Sequence, residues 1–403
     1  MRMLAACSLG GAGHFNPLVP FLRAARRRGE EVLTVGPPAV REMVESAGFP
    51  FRAGGEPSEE QVAAIRERLP VAPAAEASVL GNRELFGRLA TAAMLAGMED
   101  AWRDWVPDLV LRDPTEYASA VLAARTRTPI AQVAISLAEA EAGSIAAAAP
   151  ALEEHLQGLV SELRAQPYLT RFPASIDPSP FADTVRYHEP RETPVSLPDW
   201  WRGSDAPLIY MTFGTVLGYM SIAAETYRMA LEVAKRTNAW VLLTVGRRFD
   251  ASTLGPVPPN VHVEPWIGQA RVLNHADLVV CHGGSGTTLA ALAAGRPLVM
   301  VPLFADQFEN ARRIAKTRAG RVVESQVTAD GGRSINAGAA PQITRSIDDV
   351  LGDVTYRDRA RAIATEMTAT PTVEEVLTRL PSGTSTGTGG AQSGGAHSGV
   401  SEI

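Results

Sequence analysis

Cysteine is nearly absent from this chain. Only Cys7 and Cys281 occur in 403 residues, and each closes an apolar run. That excludes a disulfide scaffold; both read as small buried residues in a reducing, cytoplasmic setting. Positive charge is also in deficit: 38 Lys and Arg stand against 44 Asp and Glu, a formal net charge of -6. A nucleic-acid partner is therefore not expected. No apolar run approaches the roughly 20 residues that cross a bilayer. Residues 1–7 run straight into glycines and are too short for a signal peptide. Nowhere do His, Cys and carboxylates cluster at metal-ligand spacing. No metal and no bound cofactor is expected.

What the chain does have is length and apolar content. At 403 residues it is too long for one ordinary domain, and 45% hydrophobic residues suffice for two packed cores. The most organised stretch runs from 278 to 307. Leu278-Val279-Val280 reads as a buried parallel strand. His282-Gly283-Gly284-Ser285-Gly286-Thr287-Thr288 follows, and then a helical pattern that ends at Gly295. Glycine lets the backbone approach a ligand closely, and a helix N-terminus offers free N–H groups and a positive dipole end. Together they suit a diphosphate. A second strand, 297–302, leads to Asp306 and Gln307, whose side chains have the chemistry to hydrogen-bond sugar hydroxyls.

The N-terminal end repeats the plan. Residues 3–8 read as a strand, 9–17 as a glycine-rich loop, Pro17 as a helix start, Gly29 as its end and 31–35 as a second strand. Gly11-x-Gly13 opens like a dinucleotide fingerprint, but Asn16 stands where the third glycine belongs and no acidic residue follows the second strand. His14 sits just past a strand's carboxyl end, where open α/β sheets bind ligands, although a lone loop histidine is more often solvated or capping. Asp113 ends another apolar run, 107–112, and is by itself as good a helix N-cap as a functional carboxylate.

These segments resemble the nucleotide-sugar signature of family-1 glycosyltransferases, most closely the actinobacterial enzymes that glycosylate antibiotics such as macrolides and enediynes. The resemblance implies a GT-B fold of α/β class: two Rossmann-like domains facing across a cleft, each a parallel sheet flanked by helices. Domains are expected at 1–190 for the acceptor and 207–380 for the nucleotide sugar. A Pro-rich linker at 191–206 joins them, and a disordered Gly/Ser/Thr-rich tail fills 381–403. The resemblance casts His14 as the base and Asp113 as its orienting partner, with Glu116 as the nearby substitute. On the donor side it places Gly214 and Thr215 against the diphosphate, Trp266 and Gln269 at the nucleobase, and His282, Gly284, Ser285, Gly286, Thr287, Asp306 and Gln307 around the diphosphate and sugar. Phe15, Met94 and Met98 are expected on the acceptor side. Met94, Met98, Trp102 and Trp105 share one helical face, a pattern more often core than site. Two departures stand out. Ala290 occupies the position where many relatives carry a ribose-binding Glu, and Gly268 replaces a usual Pro, leaving that loop less rigid.

Glycosyl transfer needs a base for the acceptor hydroxyl, stabilisation of the leaving diphosphate, and alignment. A directly activated acceptor implies inversion at the anomeric carbon. The expected partners are a nucleoside-diphosphate sugar, by resemblance a dTDP-deoxysugar, and an apolar natural-product acceptor. A non-catalytic sugar-nucleotide-binding helper and a nucleotide-sugar epimerase are the alternatives of the same shape. Oligomeric state is left open, a homodimer included.

Overall fold

Apolar runs bounded by glycine and proline become short parallel strands. The computed structural model describes residues 1–9, 11–69, 74–190, 197, 205–215, 217–304, 306–327 and 333–381. Most of the expected linker and the tail beyond 381 lie outside these residues. The first sheet contains β1 (Arg2–Ala6), β2 (Glu31–Gly36), β3 (Phe51–Ala53), β4 (Leu109–Arg112), β5 (Ile130–Val133), β6 (Tyr168–Thr170) and β7 (Thr184–Arg186) in the order β3-β2-β1-β4-β5-β6-β7. The second contains β8 (Leu208–Thr212), β9 (Trp240–Thr244), β10 (Val261–Glu264), β11 (Leu278–Cys281), β12 (Leu298–Met300) and β13 (Gly320–Val322) in the order β10-β9-β8-β11-β12-β13. Every pairing in both sheets is parallel.

Both faces of each sheet are covered, which is why the strands are apolar on both sides. Met3, Ala5 and Cys7 pack into one cluster and Leu4 and Ala6 into another. In the second sheet Leu278 and Val280 face one core, Val279 and Cys281 the other. Both cysteines are free and buried. No helix among the described residues is long and apolar enough to cross a membrane.

The two units touch. Leu137, Phe172 and Ile176 join a core cluster of the second sheet. Arg313, on the helix Gln307–Thr317, donates to Asp177 at 3.1 Å and to the Ile176 carbonyl at 3.3 Å. The last helix, Val373–Arg379, ends the 207–380 span by crossing back to the first unit. Val373, Val376 and Leu377 pack with Phe21 and Leu22 in a first-sheet cluster, and Glu374 pairs with Arg27. Strands β6 and β7 escape sequence reading because three residues carry no periodicity.

Candidate active site

In each sheet the strand order reverses once, between β1 and β4 and between β8 and β11. Loops leaving the carboxyl ends of such strands diverge and open a crevice. Both candidate clusters form at these two points. In the first sheet Ala6 lies opposite Arg112, and the Asp113 N–H donates to the Ala6 carbonyl at 3.0 Å. The residues that follow, His14 and Asp113, are thereby brought together across 99 positions.

His14 Nδ1 lies 3.2 Å from Asp113 Oδ1, 3.2 Å from Ser8 Oγ and 3.3 Å from Thr115 Oγ1. All three neighbours are on the Nδ1 side. The ring, 16% exposed, stacks on Phe86 with centroids 6.0 Å apart. Asp113 is fully buried. It accepts from the Ser8 N–H at 2.5 Å and from the Thr115 N–H and Oγ1–H at 2.8 and 2.7 Å. Burial pushes its carboxyl up, but the His14 imidazole, Thr115 and Ser8 outweigh that and hold it below the ordinary value. Glu116 is no substitute. Its carboxylate accepts from the Ser119 backbone N–H at 3.1 and 3.2 Å and from the Ser119 hydroxyl, capping the helix Ala118–Thr126, and burial pushes it up to about 7.

The acceptor-side expectation is largely corrected. Phe15 is buried in the first core with its ring edge-on to Phe49, and Met98 is buried beneath β1 and β2 with Leu4 and Val35. The helical stripe is core, because apolar side chains at that spacing fill the sheet face. Met94 alone reaches a small cleft that Ser8, Thr115 and Tyr117 also line. Glu116 lines it too, beside residues the sequence did not single out, Ala90 and Thr91 among them.

On the second sheet, His282 follows β11 and Gly214 follows β8. The His282 ring is held between two glycines. A Cβ on Gly214 would lie 2.8 Å from Nε2, and one on Gly284 2.5 Å from it. Gly214 and Gly283 adopt φ of +79° and +84°, which glycine alone takes without strain. Burial pushes the imidazole down to about 4 against the pull of Asp306 and the Thr212 backbone, so it is neutral at pH 7. The helix Ser285–Ala293 starts at Gly284 with its first N–H groups free for an anion. Gly286 is exposed with open space above it, and Thr287 accepts from Gln269 at 2.9 Å. That bond ties the β10 loop to the helix.

Trp266 is no core residue: it is 52% exposed, with the Arg247 guanidinium 4.6 Å over its ring. Thr215 is exposed. Gly268 has φ -61°, within the range a proline imposes, so the loop keeps that shape without the ring. Ala290 packs against an apolar cluster. Asp306 Oδ2 accepts from Ser285 Oγ at 2.9 Å, from Asn310 Nδ2 at 3.1 Å and, across the cleft, from Ser136 Oγ at 2.9 Å. Gln307 differs from its expected place. Buried, it accepts from the Leu303 and Phe304 N–H groups at 2.9 and 3.1 Å and braces its own loop. Ser8, Phe86 and Ser136 carried no readable signal. Thr115 did: Asp-Pro-Thr is a turn whose side chains fold back on the backbone.

Comparison with known proteins gives a consistent likeness. Residues 23–214 match the model of the N-terminal domain of erythromycin biosynthesis protein CIII-like proteins, and residues 228–382 that of the C-terminal domain. The elloramycin glycosyltransferase ElmGT of Streptomyces olivaceus is 32% identical over 94% of this chain and 97% of its own length. The oleandomycin glycosyltransferase of Streptomyces antibioticus is 27% identical over 81% of this chain and 80% of its own. The fold is shared with the Streptomyces sp. SF2575 glycosyltransferase SsfS6, solved with thymidine diphosphate, at TM-score 0.71 and 22% identity over 94% of this chain and 98% of that one.

Proposed function

The chain belongs to the erythromycin biosynthesis protein CIII-like family of antibiotic glycosyltransferases, and from that premise we propose an inverting, metal-independent transfer of a deoxysugar from a dTDP-linked donor to a hydrophobic natural product. The observation that carries this reading is the pairing of switch-point loops. One presents an imidazole backed by a buried carboxylate; the other presents a glycine-walled helix N-terminus.

In this reading the acceptor O–H gives its proton to His14 Nε2 as its oxygen bonds to the anomeric carbon. The bond from that carbon to the diphosphate breaks, and its electron pair leaves with dTDP. Asp113 fixes the tautomer through Nδ1 and stabilises the imidazolium. The N–H groups at 284–287 and their dipole take up the developing charge, so the step requires no metal. His282, neutral when the site is empty, would hydrogen-bond the diphosphate, and the bound anion would raise its pKa. Trp266 offers an exposed face to the base. The thymidine diphosphate held by SsfS6, and the elloramycin and oleandomycin glycosyltransferases among the relatives, support the donor class and an antibiotic acceptor.

The deciding experiment supplies a dTDP-deoxysugar with and without apolar alcohol acceptors. Free dTDP and a glycoside should form only when an acceptor is present. Donor conversion without acceptor would indicate an epimerase, and no conversion at all a binding protein. In the same format dTDP alone should raise the melting temperature, by the equivalent of about 2.7 kcal/mol at a hundredfold excess over Kd. The absence of any shift with dTDP, alongside one with another nucleotide, would displace the donor assignment.

Asp306→Ala tests the sugar contact. The carboxylate stands on the loop after β12, at the same sheet edge as the diphosphate helix. Turnover of the dTDP-sugar is expected to fall about 10-fold or more, the loss of one charge-assisted hydrogen bond or two. Affinity for bare dTDP should hold. Equal losses in both would show that Asp306 only braces Ser285.

A further inference from the structure

We propose that Arg112, a buried residue outside the cleft, is the positioning residue that sets the geometry of the His14–Asp113 pair. Arg112 ends β4 and is 0% exposed. A buried guanidinium persists only when its donors are paired, and here their partners define the site. Nη1 donates to the carbonyls of Asp113, Pro114 and Glu116, each at 3.0 Å. Nε donates to Gln166 Oε1 at 3.0 Å, and Nη2 to Gln132 Oε1 at 3.1 Å. The turn 113–116 is therefore wound around one nitrogen, while two amides, Gln132 from β5 and Gln166 at the end of the helix Leu159–Ala165, hold the far side.

That turn carries both Asp113 and Thr115, the residues that meet His14 Nδ1. Its shape is decided by Arg112, because the carbonyls that converge on Nη1 belong to Asp113 itself and to Pro114 and Glu116, which flank Thr115 on either side. Among the described residues no carboxylate pairs directly with Arg112. The buried Asp113 carboxylate nearby offsets its charge, and the Tyr117 ring lies 5.7 Å from the guanidinium carbon. A lysine would keep the charge but lose the planar fork that reaches five acceptors in fixed directions.

The inference rests on His14 being the base, so Arg112→Lys and His14→Ala are measured together. In a folded Arg112→Lys protein, kcat with an aliphatic alcohol acceptor should fall 10- to 100-fold. dTDP affinity should stay within twofold, and an acidic phenol acceptor, which needs the base least, should lose much less. Near-parent turnover in Arg112→Lys beside a crippled His14→Ala would overturn this inference alone. Near-parent turnover in His14→Ala would overturn the base assignment and this inference with it. Equal losses for alcohol and phenol would mean general damage and would also overturn it. If Arg112→Lys does not fold, Gln166→Leu decides: removing one acceptor should give the same pattern at several-fold amplitude, and parent-like turnover would be the contrary result.

Discussion

Replacing His14 by alanine is expected to lower turnover by about 10²–10⁴-fold with an aliphatic alcohol acceptor, the usual worth of positioned proton transfer. Donor affinity should barely change, because the donor groups stand on the second sheet and His14 on the first. Asp113→Asn should cost as much or somewhat less. An asparagine can keep the Thr115 or the Ser8 N–H bond, but its amide cannot accept all the bonds that Asp113 now takes. The double variant should lose far less than the product of the single losses, since the two act as a unit. Steady-state rates at saturating donor, with a simple alcohol acceptor, check all three. Normal turnover in His14→Ala would make the histidine structural.

A stability consequence follows from the same carboxylate. Its folded pKa lies below its ordinary value. The stability it contributes is therefore present above that ordinary value and is lost as pH falls through the folded one. Acid unfolding should accordingly be steeper in the parent than in Asp113→Asn.

Gly284→Val is expected to weaken dTDP binding by about 100-fold or more, equivalent to about 2.7 kcal/mol. The backbone is not the reason: φ -63° and ψ 141° suit any residue. Space is. A Cβ would stand 2.5 Å from His282 Nε2 and 3.0 Å from Cε1, and the ring cannot step aside because Gly214 closes it from the other side. The branched side chain then fills the approach to the helix N–H groups. Gly286→Ala is the control, since nothing lies within 4 Å of that Cβ. It should leave the ligand-free protein unchanged and affect binding only through what the ligand itself occupies. Calorimetric titration of each folded variant reads the result. Unchanged dTDP affinity in Gly284→Val would remove the diphosphate from this loop.

By itself the sequence determined the features whose cause is local. A parallel strand covered on both faces must be a continuous apolar run, so β1, β2, β4, β11 and β12 were legible within a residue or two. A glycine turn between a strand and a helix needs only its own torsions, so the loops at 11–14, 214–215 and 283–286 were legible too. Only the tertiary structure decided which distant residues meet. Asp113 and Glu116 are equivalent as letters; the strand order puts Asp113 beside His14 and turns Glu116 onto its helix. Phe15, Met98 and Gln307 carry site-like chemistry, and packing draws each inward. Arg112 reads as a charge at a strand end, yet the turn closes over it. Ser136 gives no sign that it reaches Asp306, 170 positions away. Such contacts depend on crossover connections and on how the two sheets face each other, and no local pattern of residues encodes that.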